Sequence, residues 1–318
     1  MKSDLILSNP ERTHENLKRL QALPLEQKIN LTKRRIEQYY IHTGGKIYVS
    51  FSGGKDSTVL LNIVRSLYPD TPGVFADTGL EFPEIRDFIK TIPNVTWLKP
   101  KKTFIRVLKE NGYPVVSKEI SRGIRDLQNP TALNERTCRI RREGSAFKGG
   151  KANTGKISDK WQFLADAPFK CSDSCCGIMK KAPFRKYEKE SGNHPIIGTM
   201  AYESSLRVQS YISRGCNVFE GHIQSRPLSV WLEDDVWEYI KKYNLPYSNI
   251  YNLGYERTGC IFCMFGYWAE RKRGLDRFQQ LEKTHPQLYK YCMSNLGMRD
   301  VIDWIDNQLV NGQKDLFD

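Results

Sequence analysis

The six residues Ser52-Gly53-Gly54-Lys55-Asp56-Ser57 constrain the fold of this chain more than any other stretch. Before them runs Lys46-Ile47-Tyr48-Val49-Ser50-Phe51, rich in β-branched and aromatic residues, which reads as a buried strand. After them Val59, Leu60, Ile63 and Val64 recur at helical spacing over Thr58 to Leu67. A strand that turns through two glycines into a helix leaves the first helical amides facing whatever lies beyond the turn. Those amides and the helix dipole favour an anion there. Lys55 adds a formal positive charge, and Ser52 and Ser57 add hydroxyl donors. Asp56 follows Lys55 where a G-x-x-x-x-G-K-[ST] loop has Ser or Thr, so this is a different kind of phosphate turn.

The flanking pattern extends the argument. Residues 10–42 read as helical, with Leu17, Leu20, Leu23, Ile29, Leu31 and Ile36 among charged residues, and Pro24 predicts a split into two helices. Strand signals recur at Gly73 to Ala76 and Val95 to Leu98, with a helical stretch Glu84 to Ile92 between them. That order predicts an α/β fold with a parallel sheet. Further on, Pro195 to Gly198 reads as a core strand and Asp234 to Tyr243 as a helix with an acidic first turn. The last 55 or so residues read as helical. The expected organisation is an N-terminal helical segment 1–45, a central domain 46–258, and a helical C-terminal segment 259–318 that carries Cys260-Ile261-Phe262-Cys263.

Lys and Arg number 49 against 36 Asp and Glu, a net charge of +13. Such a surplus draws polyanions, either nucleic acid or a nucleotide with several phosphates. Part of it sits in an insertion at about 134–160, with Arg136, Arg139, Arg141, Arg142, Lys148, Lys151, Lys156 and Lys160 among glycines. This reads as a mobile basic loop, equally compatible with a nucleic-acid contact and with a solvated surface excursion. The N-terminal residues lack the apolar run of a signal peptide, and the apolar stretch Cys260 to Trp268 is too short to span a bilayer. We expect no membrane association and a soluble, cytoplasmic protein with reduced thiols, so its eight cysteines read as metal or redox ligands before disulfides. Cys175-Cys176 are adjacent and Cys260 and Cys263 form a C-x-x-C pair. Four thiolates in two tight pairs can close an all-cysteine zinc site or a [4Fe–4S] site, and a vicinal pair is awkward for tetrahedral zinc. Buried inert thiols are the default for Cys138, Cys171, Cys216 and Cys292; Cys171 stands out by its closeness to the vicinal pair.

The SGGKDS turn, in this strand–turn–helix context, resembles the PP-loop of the adenine-nucleotide α-hydrolase superfamily. That loop holds the pyrophosphate of ATP or the sulfate end of an adenylyl sulfate. The string Asp77-Thr78-Gly79-Leu80-Glu81-Phe82-Pro83 after the second strand resembles the matching turn of the phosphoadenosine phosphosulfate (PAPS) reductase family. Three further strings are similar to segments of that family: Gly198 to Arg207, Pro227 to Trp237, and Tyr251 to Cys260. The CC and C-x-x-C pairs resemble those of the cluster-bearing adenylyl-sulfate (APS) reductases. The resemblance implies a [4Fe–4S] cluster held by Cys175, Cys176, Cys260 and Cys263, with Lys180 as a cation near cluster and substrate. It implies nucleotide contacts from Ser52, Gly53, Gly54, Lys55, Asp56, Ser57 and Asp77, with Arg207 and Arg257 as anion clamps. Lys55, Asp56 and Lys180 are the candidate catalytic residues.

Two departures shape the expected activity. Met200 stands where the family usually has an arginine, and residues 311–318 lack the catalytic cysteine of the sulfonucleotide reductases' C-terminal tail. The leading expectation is an iron–sulfur enzyme that binds ATP with Mg and cleaves it between the α and β phosphates. It would adenylate an acceptor for sulfur transfer, as related DNA phosphorothioation and tRNA thiolation enzymes do. DNA or tRNA would then be the acceptor, and a cysteine desulfurase or similar protein the sulfur donor. The alternatives are reduction of APS or PAPS through Cys171 or a partner thiol with thioredoxin as reductant, and a non-catalytic nucleotide-binding or redox-sensing regulator.

Overall fold

The structure, a computed structural model, describes residues 12–145 and 154–314, the last four of these by backbone alone. In chain order the first elements are α1 (His14–Gln21), α2 (Leu25–His42), β1 (Ile47–Ser50), α3 (Lys55–Leu67), β2 (Gly73–Ala76), α4 (Pro83–Thr91) and β3 (Val95–Leu98). There follow α5 (Phe104–Asn111), β4 (Val115–Val116), α6 (Lys118–Gln128), α7 (Glu135–Glu143), α8 (Ser174–Cys176) and α9 (Ala182–Ser191). Next come β5 (His194–Ile197), α10 (Ser205–Arg214), β6 (Asn217–Val218), β7 (Gln224–Ser225) and α11 (Glu233–Lys242). The C-terminal part holds β8 (Met264–Phe265), α12 (Tyr267–Arg271), α13 (Arg277–Thr284), α14 (Pro286–Lys290) and α15 (Met298–Lys314).

The chain divides into two compact units. The first contains the described residues up to Asp77, with Glu81–Lys99 and Phe184–Thr258. The second contains Thr78–Leu80, Pro100–Pro183 and the residues from Gly259 on. The described residues of 100–183, placed by sequence within a 46–258 domain, therefore group with the described residues from Gly259 on.

The first unit is an α/β fold on a sheet of order β3-β2-β1-β5-β7-β6. Every pairing is parallel except β6 with β7. Val49 of β1 pairs with Gly73 on one side and Ile196 on the other. The chain moves from β1 outward through β2 and β3, then returns to the opposite side of β1 as β5. In open parallel sheets that reversal of strand order opens a crevice at the carboxyl ends of the strands, and the 52–57 turn leaves β1 there. Val59, Leu60, Ile63 and Val64 of α3 are fully buried, as their spacing required. Helix α3 starts at Lys55, three residues before the predicted start, so the turn's last residues belong to its first turn.

In the second unit β4 pairs parallel with β8. Val107, Val115, Ile124, Leu164, Met264 and Ile305 are buried in its core. The basic segment is not all loop: Glu135–Glu143 form α7, which has no buried residue. Arg136, Arg139 and Arg142 are exposed, whereas Arg141 turns inward, its Nε 3.6 Å from Asp126. Lys148 and Lys151 lie outside the described residues. Among the described residues, no helix is long and apolar enough to cross a membrane.

Candidate functional site

The turn is built by its two glycines in different ways. Gly53 has φ +72°, and a Cβ there would lie 2.7 Å from the Ile89 side chain of α4. Gly54 is extended, and a Cβ there would lie 2.6 Å from Thr258 Oγ1. The serines fasten the turn to itself. Ser52 N donates to Ser57 Oγ at 3.2 Å, and Ser57 Oγ donates to Gly54 O at 2.9 Å. Gly198, at the end of β5, is needed for close approach: a Cβ there would stand 3.2 Å from Asp56 O.

Lys55 is buried at 4% exposure, and its ammonium is surrounded. Its Nζ lies 3.0 Å from Glu233 Oε1 at the start of α11, donates to Glu256 O at 3.1 Å, and sits 3.9 Å from Asp56 Oδ1. The ring centroids of Tyr251 and Trp237 are 5.5 and 5.9 Å from Nζ, within cation–π range. Asp56 Oδ1 is buried without a hydrogen-bond partner among the described residues. Burial pushes the Asp56 carboxyl above its ordinary value; Lys55 pulls against this, Glu233 adds to it, and Arg257 and Arg207 pull against it. The structure thus brings Lys55, Asp56, Arg207 and Arg257 into one charged neighbourhood. Arg207 pairs with Glu203 one turn back on the chain, and burial, then the Arg257 charge, lower its pKa. Tyr202 joins the cluster, its phenol pushed up to about 12 by burial, Glu233 and Asp56. Asp77 is nearly buried and pairs with Arg86 at 2.9 Å. Met200 is buried and offers no charge to an anion.

Glu233, Tyr202, Tyr251 and Thr258 carry no role in the sequence reading, although three of the motif strings contain them. The contacts of Glu233 and Tyr251 with Lys55, and of Thr258 with Gly54, span about 180 to 200 residues, Tyr202 joins them through Glu233 and Asp56, and no local pattern announces such partners.

In the second unit Cys175, Cys176, Cys260 and Cys263 line one cavity with Lys180, Met179 and Phe104. Asp173, just before the vicinal pair, is gripped by two arginines of α6. Arg122 Nε and Nη2 donate to its Oδ2 at 3.0 and 2.9 Å, and Arg125 Nη1 donates to Oδ1 at 2.8 Å. The hydrogen bond from Cys175 lowers the Cys176 pKa, and the Lys118, Lys180 and Lys181 charges add to this against burial. Cys263 is pushed up to about 11 by burial. Four soft donors in an apolar cavity beside lysines fit an iron–sulfur cluster or zinc chemically. Among the described residues no three or more His, Cys, Asp or Glu side chains converge as a metal site. The remaining cysteines lie elsewhere: Cys171 and Cys292 are buried, each pushed up to about 12 by desolvation, Cys216 is buried as well, and Cys138, expected to be buried, is only half-buried because α7 buries no residue.

A family model described as "phosphoadenosine phosphosulfate reductase domain" matches residues 46–114 and 131–265. The adenosine 5'-phosphosulfate reductase of Staphylococcus haemolyticus is 25% identical over 260 residues, covering 80% of this chain and 85% of the relative. An uncharacterized protein of Methanocaldococcus jannaschii is 26% identical over 260 residues, 80% of this chain, which spans only 49% of that relative. The solved structure of a PAPS reductase from Candida auris, in its phosphate complex, superposes with a TM-score of 0.41 at 17% identity, over 78% of this chain and 95% of that one.

Proposed function

This chain belongs to the phosphoadenosine phosphosulfate reductase domain family, and from that premise we propose that it binds ATP at the 52–57 turn and transfers its adenylyl group to an acceptor destined for sulfur. The turn amides and Lys55 hold the β and γ phosphates at the N-terminus of α3. Arg207 and Arg257 meet the remaining negative charge. An acceptor oxygen attacks the α phosphorus, the bond from that phosphorus to the bridging oxygen breaks, and pyrophosphate leaves with the electron pair. The cations around Asp56 stabilise the charge that develops on that leaving group. A nucleic-acid acceptor, DNA or tRNA, suits the exposed arginines of α7. Cys175, Cys176, Cys260 and Cys263 would hold a [4Fe–4S] cluster, which when bound supplies a site for sulfur or electron transfer.

The observation that carries the choice of ATP is the state of the other thiols. Reduction of a sulfonucleotide needs a thiolate nucleophile. Cys171, Cys216 and Cys292 are buried, the pKa values of Cys171 and Cys292 are raised to about 12, and half-buried Cys138 on α7 donates its thiol proton to Asp126 O at 3.3 Å. The second reading, reduction of APS with a partner thiol, is favoured by the likeness to the Staphylococcus haemolyticus reductase over 85% of its length. Anaerobic protein incubated with Mg-ATP plus tRNA or duplex DNA should release pyrophosphate and leave the adenylyl group on the nucleic acid, and added sulfide should then displace AMP. Sulfite release from APS with thioredoxin, and no pyrophosphate from ATP, would replace the first reading by the second.

A further inference from the structure

Helix α2 lies outside the stretch that matches the family model, which begins at residue 46. Yet it carries a buried lysine. Lys28 is 2% exposed, and its Nζ bonds both oxygens of Asp235, at 2.8 and 2.6 Å. A buried charge removed from water needs such a partner. One turn on, Thr32, also fully buried, accepts from Trp231 Nε1 at 2.9 Å. Arg35 donates to Pro227 O at 3.4 Å. Lys28, Thr32 and Arg35 fall on one face of α2 by helical spacing, and that face binds residues 227–235 throughout. This polar stripe on an otherwise amphipathic helix fixes orientation in a way that apolar packing does not.

The stripe connects to the loop lysine through α11. Asp235 Oδ2 accepts from Leu232 N at 2.6 Å as well as from Lys28, so the same carboxylate caps α11 and receives the brace. Glu233, the first residue of α11, then stands 3.0 Å from Lys55 Nζ. Trp237, one turn further, lies beneath the same ammonium. The path Lys28–Asp235–α11–Glu233–Lys55 is continuous, and every step lies in the first unit.

We propose that Lys28 is a positioning residue for the anion site: it pins the start of α11 so that Glu233 holds Lys55 in place, which makes the N-terminal helix part of the nucleotide-binding apparatus. This rests on the reading of the 52–57 turn as the nucleotide site. The test is a double-mutant cycle read by calorimetry with α,β-methylene ATP and with APS. Lys28→Met should weaken binding about tenfold, Glu233→Gln should also weaken it, and the combined variant should bind no more weakly than Glu233→Gln alone, since the two act through one path. Lys28→Met with Asp235→Asn removes both charges and keeps an oxygen for Leu232 N, so it serves where the single variant does not fold. It should show the same loss. Unchanged affinity in a folded variant, or losses that multiply in the combined one, would overturn the proposal. Hydrogen exchange of the 52–60 peptide reads the brace without nucleotide and should quicken in Lys28→Met. A wild type that binds neither nucleotide overturns the site's function, whereas loop exchange unaltered by Lys28→Met overturns the brace.

Discussion

The backbone N–H of Lys55 donates to the Tyr251 hydroxyl across 2.8 Å. That amide opens α3, and it is one of the donors a helix N-terminus offers to an anion. Tyr251 therefore stands, with a neutral oxygen, where a phosphate oxygen would be drawn. Burial raises the Tyr251 pKa, which keeps the phenol protonated.

Tyr251→Phe leaves the Lys55 amide without its acceptor. The expected loss is about 1 kcal/mol of stability, the usual net value of one hydrogen bond. Added pyrophosphate should restore more thermal stability to the variant than to wild type, because the anion takes over the freed amide. Equal shifts in a pyrophosphate series would show that the anion binds elsewhere.

Gly54→Val places a Cβ 2.6 Å from Thr258 Oγ1 and 3.2 Å from the Tyr251 hydroxyl, on the face where the proposed anion would approach. ATP affinity should fall at least about tenfold, the factor that corresponds to 1.4 kcal/mol, while the far-ultraviolet circular dichroism stays that of wild type. Unchanged affinity in the folded variant would falsify the assignment of the turn.

Protein purified without air should be brown and contain iron and sulfide in cluster proportion. Cys260→Ser or Cys263→Ser should bleach it, because each removes one of the four thiols on the shared cavity. Stoichiometric zinc without iron in the wild type would make the centre a zinc site.

Cys171 and Cys292 bear on pH stability. Both thiols have folded pKa values of about 12, against about 8.5 for a free cysteine. The fold therefore favours the protonated form; that contribution is intact below about pH 8.5 and is lost as pH rises from there toward 12. Urea midpoints between pH 8 and pH 11 should fall less steeply in Cys292→Ala than in wild type. At pH 8, iodoacetamide should label half-buried Cys138 before either of them.

Arg136, Arg139 and Arg142 point outward from α7. Their replacement by Ala should weaken duplex DNA or tRNA binding and flatten its dependence on salt, by roughly 0.7–0.9 in log–log slope for each phosphate no longer neutralised. Arg141 belongs in the control variant, since it faces Asp126 and Gly155 O. A salt slope identical to wild type in the triple variant would return α7 to the role of a solvated surface.

The parts legible from sequence were those fixed by local chemistry. Apolar spacing in residues 59–64 located α3, and β-branched runs located β1, β2 and β3. Helix α7 escaped because it buries nothing, so its sequence has no apolar stripe to reveal a period. The two-residue strands β4 and β8 are too short for alternation to register. Glu233 and Tyr251 were visible within motif strings, but their engagement with Lys55 is a property of tertiary packing. Lys28 had the opposite problem: a lysine among the charged residues of an N-terminal helix reads as solvated, and only the burial of its Asp235 partner shows otherwise.

The grip of Arg122 and Arg125 on Asp173 has a consequence for the neighbouring thiols. Both oxygens of that carboxylate are engaged from α6, so the peptide leading into Cys175 is anchored by the chain itself. Whatever the cysteines bind, the entropy of bringing the vicinal pair to its wall of the cavity is spent during folding. A cluster or ion bound there would then be lost and regained by exchange of sulfur partners on a standing backbone, with no need for residues 173–176 to unfold and find their place again.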